Sequence, residues 1–188
     1  MPERIEPFEV DHFYHIYNRG VNKQIIYFSE RNYTYFLNKM AQYFQSRASI
    51  LAYCLMPNHF HFLIQVIDLD FLTKALQSFL LTYAKSINID QSRIGPLFQG
   101  RYQANHIQDD EYLVDWIKYI HLNPVKAHLV DHPLKWPYSS YRDYCSSNQR
   151  TFVNTFYILQ YFESVANFRE YTESNMNQYV SKHFQDFE

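Results

Sequence analysis

The stretch Met56-Pro57-Asn58-His59-Phe60-His61-Phe62-Leu63-Ile64 sets two histidines one residue apart inside an apolar, strand-like run. Successive side chains of a β-strand point to opposite faces, so His59 and His61 share one face while Phe60 and Phe62 take the other. Upstream, Ile50 to Leu55 forms a second apolar run, and Pro57-Asn58 between them has the composition of a tight turn. The pattern predicts a hairpin of strands 50–55 and 59–66. One of its faces carries two imidazoles that can close on a single cation.

Working outward, Phe13 to Tyr17 alternates as a first strand and Asn18-Arg19-Gly20 supplies a turn. Ser29 is placed to cap a first helix, with Tyr33, Phe36, Leu37, Met40 and Phe44 at helical spacing up to about Gln45. Asp68 or Asp70 can cap a second helix to about Ser86, whose stripe is Leu72, Leu76, Phe79, Leu80 and Tyr83. Ile94-Gly95-Pro96 breaks the chain, and Phe98 to Ile107 reads as a fourth strand interrupted by Gly100. Asp109-Asp110-Glu111 then forms an acidic first turn for a third helix, with Leu113, Trp116, Ile117 and Ile120 as its stripe and Pro124 as its stop.

This β-α-β-β-α-β order with a further helix predicts an α+β fold. It is the ferredoxin-like split β-α-β pattern, an antiparallel sheet with helices on one face. Beyond Val130 come a Pro-, Trp- and Ser-containing segment, 131–140, and a polar stretch, 146–150, with the composition of a linker. A terminal helical unit with Phe156, Leu159, Phe162, Val165 and Phe168 follows, then a polar tail.

The chain has 188 residues, a hydrophobic fraction of 47% and 19% charged residues, which excludes disorder as its main state and fits one domain with a small appendage. The 18 tyrosines and 16 phenylalanines exceed what a core of this size should hold, so some are expected on the surface, where they suit base stacking or a protein partner. A formal charge of −2 argues against a generally basic nucleic-acid binder. Any such binding must be local. Two cysteines are too few for a disulfide scaffold or a cysteine zinc site, and point to a reducing, cytoplasmic setting. No run approaches the length of a membrane span, and the acidic N-terminus does not read as a signal peptide.

Two neutral imidazoles on Mg²⁺ or Mn²⁺ leave coordination positions open for phosphate oxygens and water, although a His-Phe-His run also arises in strands with no metal. On the third helix Tyr119 lies opposite the apolar stripe, and Asn123 follows four residues later on the same face. A phenol with an ordinary pKa near 10 needs a nearby cation or base to act as a nucleophile at neutral pH. Tyr112, seven residues earlier, shares the face and is the rival. Asn123 can offer an amide oxygen to the cation, or simply end the helix before proline. Arg19, Arg101, Lys118 and Lys126 are candidates for holding DNA phosphates, and Gly100 beside Arg101 would let backbone approach closely. His106 would stand near the site if its strand were central.

Five blocks in order carry a resemblance to a known family: Tyr14-His15-Ile16-Tyr17-Asn18-Arg19-Gly20, then 53–64, then Leu97-Phe98-Gln99-Gly100-Arg101-Tyr102, then 119–127, then Trp136-Pro137-Tyr138-Ser139-Ser140-Tyr141. Together they resemble the single-tyrosine transposases with a His-hydrophobic-His (HUH) motif, most closely the REP-associated tyrosine transposase branch. The resemblance runs over residues 8–141 and implies a transposase domain there, with 142–188 as a C-terminal helical extension. It implies that His59 and His61 are the metal ligands and that Tyr119, rather than Tyr112, is the nucleophile. Asn123 matches a further ligand position that is usually glutamine in the insertion-sequence branch, so its amide differs in length.

The expected activity is metal-dependent cleavage and joining of single-stranded DNA at hairpins through a 5′-phosphotyrosine, by a monomer or homodimer. Insertion-sequence relatives place the tyrosine helix of one subunit against the histidines of the other, so the residues leave both arrangements open. A domesticated, non-catalytic hairpin binder of the same fold is the alternative. A metallohydrolase with a water nucleophile is a third reading, disfavoured because no acidic dimetal cluster lies nearby.

Overall fold

The predicted hairpin is the centre of the sheet's construction. In the computed structural model, which describes residues 7–70, 72–108, 112–146 and 152–176, β2 (Ala48–Met56) and β3 (His59–Val66) pair antiparallel, with Met56 opposite His59 across the Pro57-Asn58 turn. That turn is tied to the rest of the sheet by the Gly20 N–H on the Asn58 carbonyl and the Ile26 N–H on the Pro57 carbonyl, each at 2.8 Å. β1 (Phe13–Arg19) pairs with β3 and with β4 (Gln103–Ile107), giving a four-stranded antiparallel sheet in the order β2-β3-β1-β4. This is the order expected of the split β-α-β pattern. β4 is shorter than its sequence suggests, because between Phe98 and Tyr102 the ladder with β1 gives way to separate contacts: a Gly20–Phe98 bridge, the Gln99 N–H on the Arg19 carbonyl at 2.9 Å and the Asn18 amide N–H on the Gly100 carbonyl at 3.2 Å.

Period-2 alternation divides the phenylalanines from the histidines as expected. Phe60 and Phe62 face α1 (Glu30–Phe44) and α2 (Leu72–Asp90), where Phe36 lies 5.2 Å from Phe60 and 4.7 Å from Phe79, centroid to centroid. Each of these fully buried rings contributes roughly 2–3 kcal/mol of apolar transfer. Ser29 does precede α1 in an extended conformation, but its side chain makes no cap bond; Asn32 accepts the Phe28 N–H instead. Most aromatics are inside, and Tyr112, Phe156 and Tyr161 are the aromatic residues among the exposed large hydrophobics of the described residues.

Helices on one face describes α1 and α2, while α3 (Leu113–Lys126) covers the opposite, histidine face. One expectation for α3 is corrected, and a second feature was not foreseen. First, Pro124 lies inside it: the helix continues to Lys126, with the Ala127 N–H on the Asn123 carbonyl at 2.9 Å. Proline lacks an N–H to donate, and in the last turns of α3 this removes a single intrahelical bond. Second, α3 has no solvent stripe after Trp116, since every residue from 116 to 125 is buried. It is sandwiched between the sheet and later elements.

Those elements begin with residues 131–140, which line the outer edge of β2. The Leu55 N–H bonds the Tyr138 carbonyl at 2.9 Å, the Ser140 N–H bonds the Tyr53 carbonyl at 3.0 Å, and the Trp136 indole N–H bonds the Leu55 carbonyl at 3.0 Å. An edge that would otherwise offer unpaired backbone is thereby closed. After α4 (Tyr141–Cys145) and α5 (Phe156–Leu159), α6 (Val165–Glu173) packs on α3, with Phe168 buried against Tyr144 and His121. The acidic turn Asp109–Glu111, positions 147–150 of the expected linker and the tail from 177 lie outside the described residues.

Candidate active site

β3 delivers both histidines to the α3 side of the sheet. In the register, His59 stands opposite Arg19 and His61 opposite Tyr17. His61 is 1% exposed and His59 half-buried, and their rings lie 5.0 Å apart at 87°. Nδ1 of His61 is 2.8 Å from Nε2 of His15 on β1, and Nδ1 of His59 is 2.6 Å from Oδ1 of Asn58. Burial pushes His61 well below the usual imidazole range, and the neighbouring His59, His15 and Lys126 push the same way. Burial alone lowers His15 to about 3. His61 and His15 are therefore neutral near pH 7, and the neutral ring is the form in which an imidazole such as His61 ligates metal.

α3 brings Tyr119 onto this pair within the same chain. The Tyr119 ring meets His61 edge to face at 5.6 Å and His15 at 6.2 Å, centroid to centroid. Nζ of Lys126 stands 5.3 Å from the centre of the Tyr119 ring. Asn123, one turn beyond Tyr119, donates its Nδ2 hydrogen to the Tyr119 carbonyl at 2.8 Å, which leaves Oδ1 as the atom with ligand chemistry. Tyr119 itself is 1% exposed. The rival Tyr112 stands about two turns earlier, at the start of α3, and is 42% exposed.

The two imidazoles are donors of a type that divalent cations accept. Nε2 of His61 is buried with no hydrogen-bond partner, and a buried polar atom left so is the exception in folded proteins. Among the described residues no group of three His, Cys, Asp or Glu side chains converges as a metal site. A cation here would rest on two imidazoles and the Asn123 amide oxygen, with its other positions open to substrate oxygens and water.

Of the basic candidates, Arg19 and Lys126 lie beside the histidine pair. Arg19 is opposite His59, and its Nε donates to Gln99 Oε1 at 2.6 Å. Arg101 is exposed on the same loop as Gln99. Lys118, expected as a DNA contact, is not brought to the histidine pair. It is 5% exposed and donates to the Tyr171 carbonyl at 2.7 Å and to Ser174 Oγ at 2.8 Å. On a helix a residue adjacent to Tyr119 projects about 100° away, here toward α6. His106 is also elsewhere: β4 is an edge strand, and the ring lies against His12 and Tyr14.

The residue that sequence reasoning passed over is His15. It stacks near Tyr17, contacts Trp116 at 4.4 Å and bonds His61. Only the β1–β3 register places it there, although its position two residues before Tyr17 in an alternating run gave the face.

No family model matches the chain. Over 101 residues it is 30% identical to a Haemophilus influenzae protein named as a REP-associated tyrosine transposase, covering 48% of this chain and 57% of that protein. The chain thus spans little more than half the length of that relative. Its fold is similar to that of a REP-associated tyrosine transposase solved bound to a REP hairpin, with a TM-score of 0.67 and 16% identity, over 81% of this chain and 90% of the other. In sequence across 48% of its length and in fold across 81% of it, the chain is similar to REP-associated tyrosine transposases.

Proposed function

We propose that this chain cleaves and rejoins single-stranded DNA carrying hairpins, with Tyr119 as the nucleophile. The observation that carries the reading is the meeting of Tyr119 and His61, 5.6 Å apart between ring centroids on α3 and β3 of one chain. A tyrosine from a second subunit is not needed to complete the constellation. His59, His61 and Asn123 would hold a divalent ion, Mg²⁺ or Mn²⁺, which when bound withdraws negative charge from the scissile phosphate. Nζ of Lys126, 5.3 Å from the centre of the Tyr119 ring, would lie close enough to hold an oxygen of the reacting phosphate.

In the step itself, the Tyr119 oxygen loses its proton and attacks phosphorus in line. The P–O3′ bond breaks, the 3′ oxygen takes a proton, and the 5′ phosphate stays on Tyr119. The phosphodiester bond energy is retained, so a second 3′-hydroxyl can reverse the step and join strands without a nucleotide cofactor. Arg19 and Arg101, on either side of Gln99, would hold flanking phosphates. Because Tyr119 is 1% exposed, its side chain must swing off His61 to admit a phosphodiester.

That burial also favours the second reading, a hairpin-binding protein of this fold without turnover. The two are separated by incubating wild type and Tyr119→Phe with labelled single-stranded hairpin DNA and Mg²⁺ or Mn²⁺, then resolving the products on a denaturing gel. The catalytic reading expects a covalent adduct with wild type and none with Tyr119→Phe. Binding with no adduct under either metal supports the second reading, and an adduct that persists in Tyr119→Phe removes the nucleophile assignment.

A further inference from the structure

Within β1, exposure to solvent begins at the end that meets the histidine pair. Phe13 to Ile16 are buried, Tyr17 and Arg19 are partly exposed, and Asn18 between them is buried. Strand alternation puts His15, Tyr17 and Arg19 on one face. The register carries that face across the sheet: Tyr17 stands opposite His61 on β3 and Gln103 on β4, and Arg19 opposite His59. His59 and Gln103 are partly exposed as well, and so is Lys126 at the end of α3. These side chains ring the mouth of the site, and of them Tyr17 alone offers a broad apolar ring.

That ring is held in place by the fold. It lies within 13° of parallel to His15, with centroids 5.1 Å apart, and His15 in turn packs on Trp116 of α3 at 4.4 Å. Tyr17 is thus the outer end of a row of rings whose inner members are buried. Its centroid lies 6.2 Å from that of His61. Tyr14, on the opposite face of the same strand, is sealed in the core at 1% exposure, whereas Tyr17 is left partly open. A side chain already fixed by packing loses little rotamer freedom when a ligand settles on it.

We propose that Tyr17 is a base-stacking subsite, on which the base of a nucleotide next to the scissile phosphate lies. The proposal rests on the reading of the histidine face as a site for single-stranded DNA. A phosphate held between His59, His61 and Tyr119 puts the adjoining nucleotide beside β1, where Arg19 can take a phosphate and Tyr17 a base. An unpaired base exposes its faces to water, and an aromatic side chain covers one of them. Every base has such a face, so the subsite accepts any of them. The affinity it adds does not depend on charge, which suits a chain of net charge −2.

The test is fluorescence anisotropy in Mg²⁺ with Tyr119→Phe, chosen to leave the DNA uncut. The probe is hairpin DNA with single-stranded flanks, each flanking nucleotide being replaced in turn by an abasic one. One position beside the cleavage point should lose about 5- to 150-fold in affinity when its base is removed, and little when the base is exchanged. Adding Tyr17→Leu should cost a similar factor on intact flanks, abolish the abasic effect and leave the slope of log affinity against log salt unchanged. Tyr17→Phe should keep the abasic effect. A Tyr17→Leu chain that binds a flankless hairpin as poorly as a flanked one, relative to Tyr17, shows a structural role and overturns the proposal. So does a salt slope lowered by about 1, which would make Tyr17 a support for Arg19. Should Tyr17→Leu not fold, photocrosslinking of 5-iododeoxyuridine at the sensitive position decides: the mapped adduct is expected on Tyr17, and one elsewhere refutes the assignment. A chain that binds and cleaves hairpin DNA with no base-sensitive flank removes this proposal alone; one that binds no hairpin DNA removes the functional reading with it.

Discussion

Acidification should destabilise this chain well before its carboxylates titrate. His15 and His121 are buried, and burial lowers each to about 3 from an ordinary 6.5; His61 is pushed down as well, chiefly by burial. A folded value below the unfolded one means that the unfolded chain takes up protons first. The stabilisation is complete above the unfolded value and is lost as pH falls from about 6.5 toward 3. Each buried ring then costs about 1.4 kcal/mol per pH unit. Between pH 6.5 and 5.0 that is roughly 1.6 kcal/mol each for His15 and His121, about 3 kcal/mol together, and His61 acts in the same direction. Such a loss is a large fraction of the stability of a typical domain.

The geometry at His121 shows why protonation is resisted: its Nε2 is engaged by Ser140 Oγ at 2.8 Å, and its Nδ1 is buried with no hydrogen-bond partner. The assay is urea unfolding at closely spaced pH values from 7.5 to 5.0 in the presence of a chelator, for wild type and His121→Phe. The slope below pH 6 should reach at least about 2.7 kcal/mol per unit in wild type from His15 and His121, and His121→Phe should remove about 1.4 kcal/mol per unit of it. A stability that stays flat from pH 6.5 to 5.0 would refute the claim that these rings remain neutral in the folded chain.

Three other substitutions test separate parts of the structure. Lys118→Met removes the bonds to Tyr171 and Ser174, and should cost about 2–4 kcal/mol in chemical denaturation while leaving hairpin-DNA affinity unchanged in a gel-shift titration; weakened DNA binding with full stability would restore Lys118 as a contact. Phe62→Ala, at a 0% exposed ring between α1 and α2, should cost about 3–5 kcal/mol in the same measurement. Arg19→Ala should weaken hairpin binding evenly across sequences and reduce the slope of log affinity against log salt by about 1, which fluorescence anisotropy across a salt series would report.

Local periodicity carried most of the architecture. The alternation in Phe60-His61-Phe62 placed phenyl and imidazole groups on opposite faces, and the helical spacing of Phe36, Leu37 and Met40 found α1. Those signals are short-range, so one chain segment contains them. The same reasoning failed where packing overrode it: α3 runs through Pro124, and Lys118 is buried under α6 because the later chain folds back over a helix face expected to meet solvent.

The sequence by itself determined the candidate chemistry. His59, His61, Tyr119 and Asn123 are named by strand alternation, helical spacing and family blocks, all of which are properties of neighbours along the chain. Only the tertiary structure decided that Tyr119 meets His61 within one chain, that α3 lies across the sheet from α1 and α2, and that His15 and Asn58 hold the two imidazoles. The physical reason is register. Which residue of β1 stands beside His61 depends on how two strands distant in sequence are aligned, and a slip of one residue would have turned His15 to the other face.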